Sequence, residues 1–278
     1  MQLEEYYADG RHYDCEIPDA DIELMPGVKW GQASRILTPA FWRFHCLTSN
    51  SLQERHRYRL GESLREEVVA CLLGGHGIAG ETGLAAFNHL KSHGILAYDP
   101  QVVEVESLLR EPLNLGGNAV HYRYPKQKAK YVAAALAFLT ENPAPPQTAV
   151  AFRNWLLGIS GVGHKTAGWI TRNWLDSDDV AILDIHIHRA GVIAGFYSPN
   201  DDVSRKYLEM EEQFLAFANA INIPAGVLDN QIWNQMRIVP THVRHFLIDR
   251  GTKSTDKCGL PAANYGRTPR NYQLFSHA

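Results

Sequence analysis

The sequence predicts an all-α protein arranged in two lobes, and three observations lead there. Apolar residues recur at helical spacing in most segments between residues 38 and 236. Gly161-Val162-Gly163 makes a tight turn between two such segments, so two helices form a hairpin. A chain of 278 residues with 45% apolar composition can also bury a core large enough for two lobes.

Taken in order, residues 1–37 are polar, acidic and broken by Pro18, Pro26 and Gly27, which reads as loop with short extended pieces. Thr38-Pro39 has the form of an N-cap and first helical position. It opens a helix through Phe41, Trp42, Phe44 and His45, whose rings suit a core or a platform for a base. Residues 62–73 read as an amphipathic helix that Gly74-Gly75-His76-Gly77 ends abruptly. Helix resumes over 79–90 and again over 100–109, where Pro112 stops it. After Leu115-Gly116-Gly117, Tyr131, Ala134, Ala135, Phe138 and Leu139 give the next helix a buried stripe. Lys126, Lys128 and Lys130 on that helix suit either a solvated face or phosphate contacts. A Pro-rich linker at 142–146 leads into the hairpin, and residues 202–221 and 225–236 read as the last two helices.

The hairpin itself is framed by Phe152, Trp155, Leu156 and Ile159 before the turn and by Ala167, Ile170 and Trp174 after it. Gly161 and Gly163 allow positive φ and close backbone approach. Free N–H groups at the start of the second helix then make an anion site that suits a DNA phosphate, although an αα-corner without a ligand needs the same glycines. Lys165 lies in the first turn of that helix. Asp184, just before I-H-I-H-R-A-G-V-I-A-G-F, is placed as the N-cap of the following helix. Asp184, His186 and His188 would share one face as metal ligands only on an extended strand. The segment reads as helix, so no metal site built from side chains is expected.

The formal net charge of −3 argues mildly against a nucleic-acid partner, because phosphate neutralisation relies on Lys and Arg. Distribution matters more than the sum. Residues 1–25 carry eight acidic side chains and one Arg, whereas residues 237–278 carry seven basic and two acidic ones. A local basic face and a merely solvated tail both fit that asymmetry. Cys15, Cys46, Cys71 and Cys258 lie far apart with no C-x-x-C spacing, which excludes a zinc knuckle and a disulfide framework. No apolar run is long enough for a membrane span, and the acidic start lacks the pattern of a secretory signal. A cytoplasmic protein with free thiols is expected.

The motif L-x-G-I-S-G-V-G-H-K-T-A followed by L-D-I-H-I-H-R resembles the helix-hairpin-helix and catalytic loop of the HhH-GPD superfamily of DNA glycosylases. Within it the chain is most similar to the 8-oxoguanine DNA glycosylase/AP lyases. The match is close from Trp155 to Arg189, where His186 and Arg189 fit a D-x-H-x-x-R pattern, and looser over a longer span. It implies a two-lobed fold with the active-site cleft between the lobes. Residues 62–178 would form a central lobe, 1–61 with 179–250 a second lobe, and 251–278 a tail.

The resemblance also implies roles. Lys165 matches the lysine of the bifunctional members and Asp184 the superfamily aspartate. Gly161, Val162, Gly163 and His164, with His186 and Arg189, would meet the DNA backbone. His76 resembles the residue that fills the gap left by an extruded nucleotide, though an exposed helix cap looks the same. Leu228-Asp229-x-x-x-Trp233 is similar to the base-recognition helix of archaeal-type members, with the acid on the base edge, the indole stacked on it and Trp42 opposite. A buried Trp beside a capping Asp is the alternative there.

The implied function is excision of an oxidised purine, 8-oxoguanine, through a lysine Schiff base and β-elimination. The expected partner is double-stranded DNA with a damaged base, bound by a nucleoid-associated monomer. No cofactor is held by side chains, the cysteines leave no place for an iron–sulfur cluster, and the hairpin carbonyls suit a monovalent cation. In the first 60 and last 30 residues no motif of the repair enzymes is recognised. That leaves a second reading, a DNA-binding or defence-associated glycosylase-like protein for another modified base. A pure binder needs neither Lys165 nor Asp184.

Overall fold

The computed structural model describes residues 1–8, 11–49, 58–75, 77–243 and 247. Helices dominate the described residues. Helix α1 (Pro39–Thr48) begins as the sequence predicts, with Thr38 Oγ1 accepting from the Phe41 N–H at 3.1 Å. Helices α2 (Leu64–Leu73), α3 (Gly80–Ser92), α4 (Val102–Arg110) and α5 (Pro125–Glu141) close around Val69, Phe87, Leu90, Val105 and Leu136. The hairpin helices α6 (Ala149–Leu156) and α7 (His164–Leu175) pack on α2 and α5 through Leu72, Phe152, Ile159, Val162 and Ile170.

Helices α8 (Ile185–Ala194), α9 (Tyr207–Ala220) and α10 (Ala225–Ile238) share a separate cluster with the N-terminal segment, in which Ile17, Trp42, Ile187, Phe214 and Ile232 meet. Trp42 is fully buried there. Its expected place opposite a flipped base is therefore corrected: the ring is core, and Trp30, 7% exposed, is core with it.

Residues 1–37 are more regular than the sequence suggests. Strands β1 (Gln2–Ala8) and β2 (Arg11–Ile17) pair antiparallel in the register Gln2↔Ile17 and Tyr6↔Tyr13. Apolar alternation does not carry this hairpin. Tyr6 stacks on Tyr13 at 5.2 Å and meets the edge of Phe44, and Gln2 donates to the Pro18 and Gly31 carbonyls while accepting from the Ala33 N–H. A shorter pair, β3 (Glu23–Met25) with β4 (Val28–Lys29), follows. Gly116 and Gly117 both take positive φ and close the two-residue turn of a third hairpin, β5 (Leu113–Leu115) with β6 (Asn118–Val120).

Helix α9 starts at Tyr207, later than the predicted 202, because Asp202 Oδ1 accepts from the Ser204 N–H at 2.8 Å and Oγ at 2.6 Å and ties up a separate turn. Lys128 departs from both expectations for its run. It turns inward and donates to the Leu72 and Gly74 carbonyls, capping the C-terminus of α2, while Lys126 and Lys130 stay exposed. Burial pushes its ammonium below the usual lysine range.

Two buried ion pairs tie the hairpin helices to the other cluster: Arg153 of α6 with Glu211 of α9, and Arg172 of α7 with Asp229 of α10. Cys15, Cys46 and Cys71 are buried free thiols, and Cys258 lies outside the described residues. Among those residues no helix is long and apolar enough to cross a membrane.

Candidate active site

The site grows from the hairpin turn. Gly161 has φ +85, and a Cβ there would lie 2.4 Å from the Tyr131 ring, so both the backbone and the packing against α5 require glycine. Gly163 differs from expectation: its φ is −97, an ordinary extended value, and a Cβ would meet nothing within 4 Å. The space beside it is open. Val162 anchors the turn in the core, 7% exposed. No side chain caps the start of α7, so the first N–H groups of that helix take no side-chain acceptor there.

Lys165 sits in that first turn with its side chain 43% exposed, and Nζ lies 3.7 Å from Asp184 Oδ2. Asp184 caps α8 as predicted: Oδ1 accepts from the His186 N–H at 2.8 Å and the Ile187 N–H at 3.0 Å. One oxygen is spent on the cap and the other faces the amine. Together they open onto a cleft of about 690 Å³ that His164, His188, Asp202 and Tyr207 also line. That volume is in the range that takes a small ligand or a nucleotide.

What holds the pair at this distance was not legible in the sequence. Tyr207 OH accepts from the Leu183 N–H at 3.1 Å and donates to the Ala181 carbonyl at 2.8 Å, clamping the segment that delivers Asp184. Its ring stacks on His164 at 5.3 Å, next to Lys165. Burial pushes the phenol well above its usual range, so it stays a neutral donor and acceptor. Glu211 Oε1 accepts from the Ala181 N–H at 3.0 Å while its other oxygen pairs with Arg153. Gly168 lets α7 touch this segment, since a Cβ there would stand 2.6 Å from the Ala181 carbonyl oxygen. A glycine inside a helix was the one available signal, because it costs about 1 kcal/mol relative to alanine and needs a reason.

The remaining predicted residues scatter. His186 and Arg189 are half-buried on α8 and lie outside the cleft lining, which takes His188 instead. Since α8 is helical from Ile185 onward, Asp184, His186 and His188 do not share a strand face. His76 lies outside the described residues. Its flanks are held by Lys128 on the Gly74 carbonyl, Tyr122 OH on the Leu73 carbonyl at 2.6 Å and Arg123 on the Gly77 carbonyl at 3.2 Å.

Asp229 and Trp233 are one turn apart on α10, yet one is buried and the other exposed. Asp229 is 4% exposed and pairs with Arg172 at 2.5 Å; Trp233 is 38% exposed under the Arg237 guanidinium. Neither lines the cleft around Lys165. Arg172 also donates to Asn173 Oδ1, and Asn173 donates to Glu67 at 2.7 Å, so Asp229 ends a buried polar chain. Its Oδ2 is buried with no hydrogen-bond partner. Burial pushes this carboxyl up to about 7, against the opposing pull of Arg172.

A family model described as 8-oxoguanine DNA glycosylase (Ogg-HhH) matches residues 49–223. An 8-oxoguanine DNA glycosylase/AP lyase from Metallosphaera sedula is 29% identical over 198 residues, 67% of this chain and 90% of that protein. One from Saccharolobus solfataricus is 28% identical over 197 residues, 66% of this chain and 88% of the relative. The crystal structure of Methanocaldococcus jannaschii 8-oxoguanine glycosylase/lyase in complex with a 15mer DNA containing 8-oxoguanine aligns with a TM-score of 0.52 at 25% identity, covering 66% of this chain and 88% of that one. Strands β1–β4, α1 and α10 lie wholly outside the matched span. With the hairpin, the lysine and the capping aspartate all inside it, the chain belongs to the helix-hairpin-helix 8-oxoguanine DNA glycosylase family.

Proposed function

We propose that this chain excises 8-oxoguanine from double-stranded DNA and cleaves the strand at the resulting site, with Lys165 as nucleophile and Asp184 as the electrostatic partner. The observation that carries the reading is the 3.7 Å approach of Lys165 Nζ to Asp184 Oδ2 at the mouth of an open cleft. The relatives' names and the DNA complex of the Methanocaldococcus protein support the substrate.

The target C1′ is unreachable inside a duplex, so the nucleotide has to leave the stack and enter the cleft. The hairpin turn and the uncapped start of α7 suit the neighbouring phosphate, which would hold the extruded sugar against Lys165. Breaking the glycosidic bond builds positive charge on the sugar. Asp184 Oδ2, free of the cap, stabilises that charge. The neutral lysine amine adds to C1′ as the base departs with the bonding pair and takes up a proton. Opening of the sugar ring leaves an iminium on Nζ. Loss of a C2′ proton then expels the 3′ phosphate, and water frees the lysine.

The test is borohydride trapping on an 8-oxoguanine:cytosine duplex. Wild type is expected to give a covalent complex, Lys165→Gln none, and Asp184→Asn one that forms about 10²–10³-fold more slowly. A wild type that binds the duplex without forming the complex would sink the 8-oxoguanine assignment. One observation favours the second reading, a glycosylase-like protein for another modified base. Asp229, the acid that the archaeal-type pattern places on the base edge, is ion-paired in the interior and lies outside the family match.

A further inference from the structure

We propose that His89, His93 and Glu111 form a binding site for a divalent transition metal of the zinc class, sharing no residue with the Lys165 cleft. His89 and His93 stand one turn apart at the end of α3, on one face, with ring centroids 4.5 Å apart. Glu111 arrives from the end of α4, and one ligand atom from each of the three lies within 4.8 Å of the others. A tetrahedral zinc shell sets its ligand atoms about 3.3 Å apart, so small side-chain rotations complete it.

Three further features favour a cation. First, His93 Nδ1 lies 2.8 Å from the His89 carbonyl oxygen, where it can only donate. That fixes the tautomer and leaves the Nε2 lone pair for a ligand, the arrangement by which metal-binding imidazoles are oriented. Second, His93 is the C-cap of α3 and Glu111 the C-cap of α4. Two negative helix ends therefore meet at the site. Third, the cationic side chains adjacent to the site in sequence are paired elsewhere: Lys91 to Glu62 and Glu66, Arg110 to Glu106. His89 Nε2 is 3.0 Å from Glu111 Oε2, so the ion would take the place of that bridging proton.

Two imidazoles and one carboxylate select zinc, cobalt, nickel or copper over magnesium or calcium. Three protein ligands leave a fourth position for water. The ion would clip the end of α3 to the connection between α4 and β5. A second group, Glu5, His12 and Asp14, is fully on the surface of the β1–β2 hairpin with a single imidazole and no helix end, and it serves as the control.

The experiment is calorimetric titration of the full chain with zinc chloride, with cobalt absorption spectra reporting the ligand shell. One equivalent is expected to bind and to raise the thermal midpoint. His89→Ala/His93→Ala should abolish both effects, and Glu111→Gln should weaken binding about tenfold. His12→Ala should match wild type. Absence of zinc uptake by wild type would overturn the proposal, as would uptake unchanged in the double histidine variant or lost with His12→Ala. His93→Gln, which keeps an exposed polar side chain, guards against a folding artefact: it must lose zinc while retaining the wild-type thermal midpoint measured in EDTA.

Discussion

Asp184 divides its oxygens between two tasks. Replacing it by alanine would remove the cap on α8, a loss of about 1 kcal/mol, along with the charge, whereas asparagine keeps an acceptor for the His186 and Ile187 N–H groups and isolates the chemistry. Tyr207 acts on the pair from behind. Tyr207→Phe leaves the Leu183 N–H buried without a partner, which should cost about 1–3 kcal/mol in urea unfolding. It should also slow single-turnover excision while leaving duplex binding unchanged. Asp229 gives a pH signature. Its folded pKa, about 7, lies above the unfolded aspartate value, so the native state holds the proton more tightly. The stability of wild type relative to Asp229→Asn should therefore fall as pH rises from about 4 to about 7 and level off above. Equilibrium unfolding at several pH values reads it, and a flat difference would contradict the buried, desolvated carboxyl. The closeness of Lys165 and Asp184 was legible because one stretch, Trp155 to Arg189, carries both. Tyr207 and Glu211 were not, because their contacts to Leu183 and Ala181 join residues that are far apart in sequence and resemble any amphipathic helix.

At the scale of elements, helix starts were readable wherever a side chain makes the cap, as at Thr38 and Asp184. The β1–β2 hairpin was not, because its residues Leu3 to Glu5 and Tyr6-Tyr7 lack the alternation that marks a strand buried on one face. The i,i+4 spacing of His89 and His93 stands in the sequence, but Glu111 joins them only through the way α3 and α4 end together. The pairing of α7 with α10 was equally invisible, since Arg172 and Asp229 are 57 residues apart. Arg172→Met would leave Asp229 unpaired as a buried carboxylate only where it ionises, so the cost should approach about 3–5 kcal/mol only well above pH ~7. In Arg172→Met/Asp229→Leu no ion remains to desolvate, and most of that loss should return. Chemical denaturation of both variants above pH ~7 checks this; equal stability of the two there would show that an unpaired Asp229 carboxylate costs nothing.

For the whole molecule, the family match ends before α10, yet α10 is packed as tightly as the rest: Leu228, Ile232 and Met236 are all fully buried. The overall helical class was legible from periodicity, whereas the way both ends of the chain share one core depends on contacts that no local pattern announces. The cleft lies inside the matched span, lined by the hairpin residues Gly163, His164 and Lys165 on one side and by residues between Leu183 and Tyr207 on the other. The walls are stapled at two places by Arg153–Glu211 and Arg172–Asp229, both in the dry interior. The first of these pairs also reaches the cleft, because Glu211 holds the Ala181 N–H on the segment that leads to Asp184; a buried brace therefore stands directly behind the Lys165–Asp184 pair.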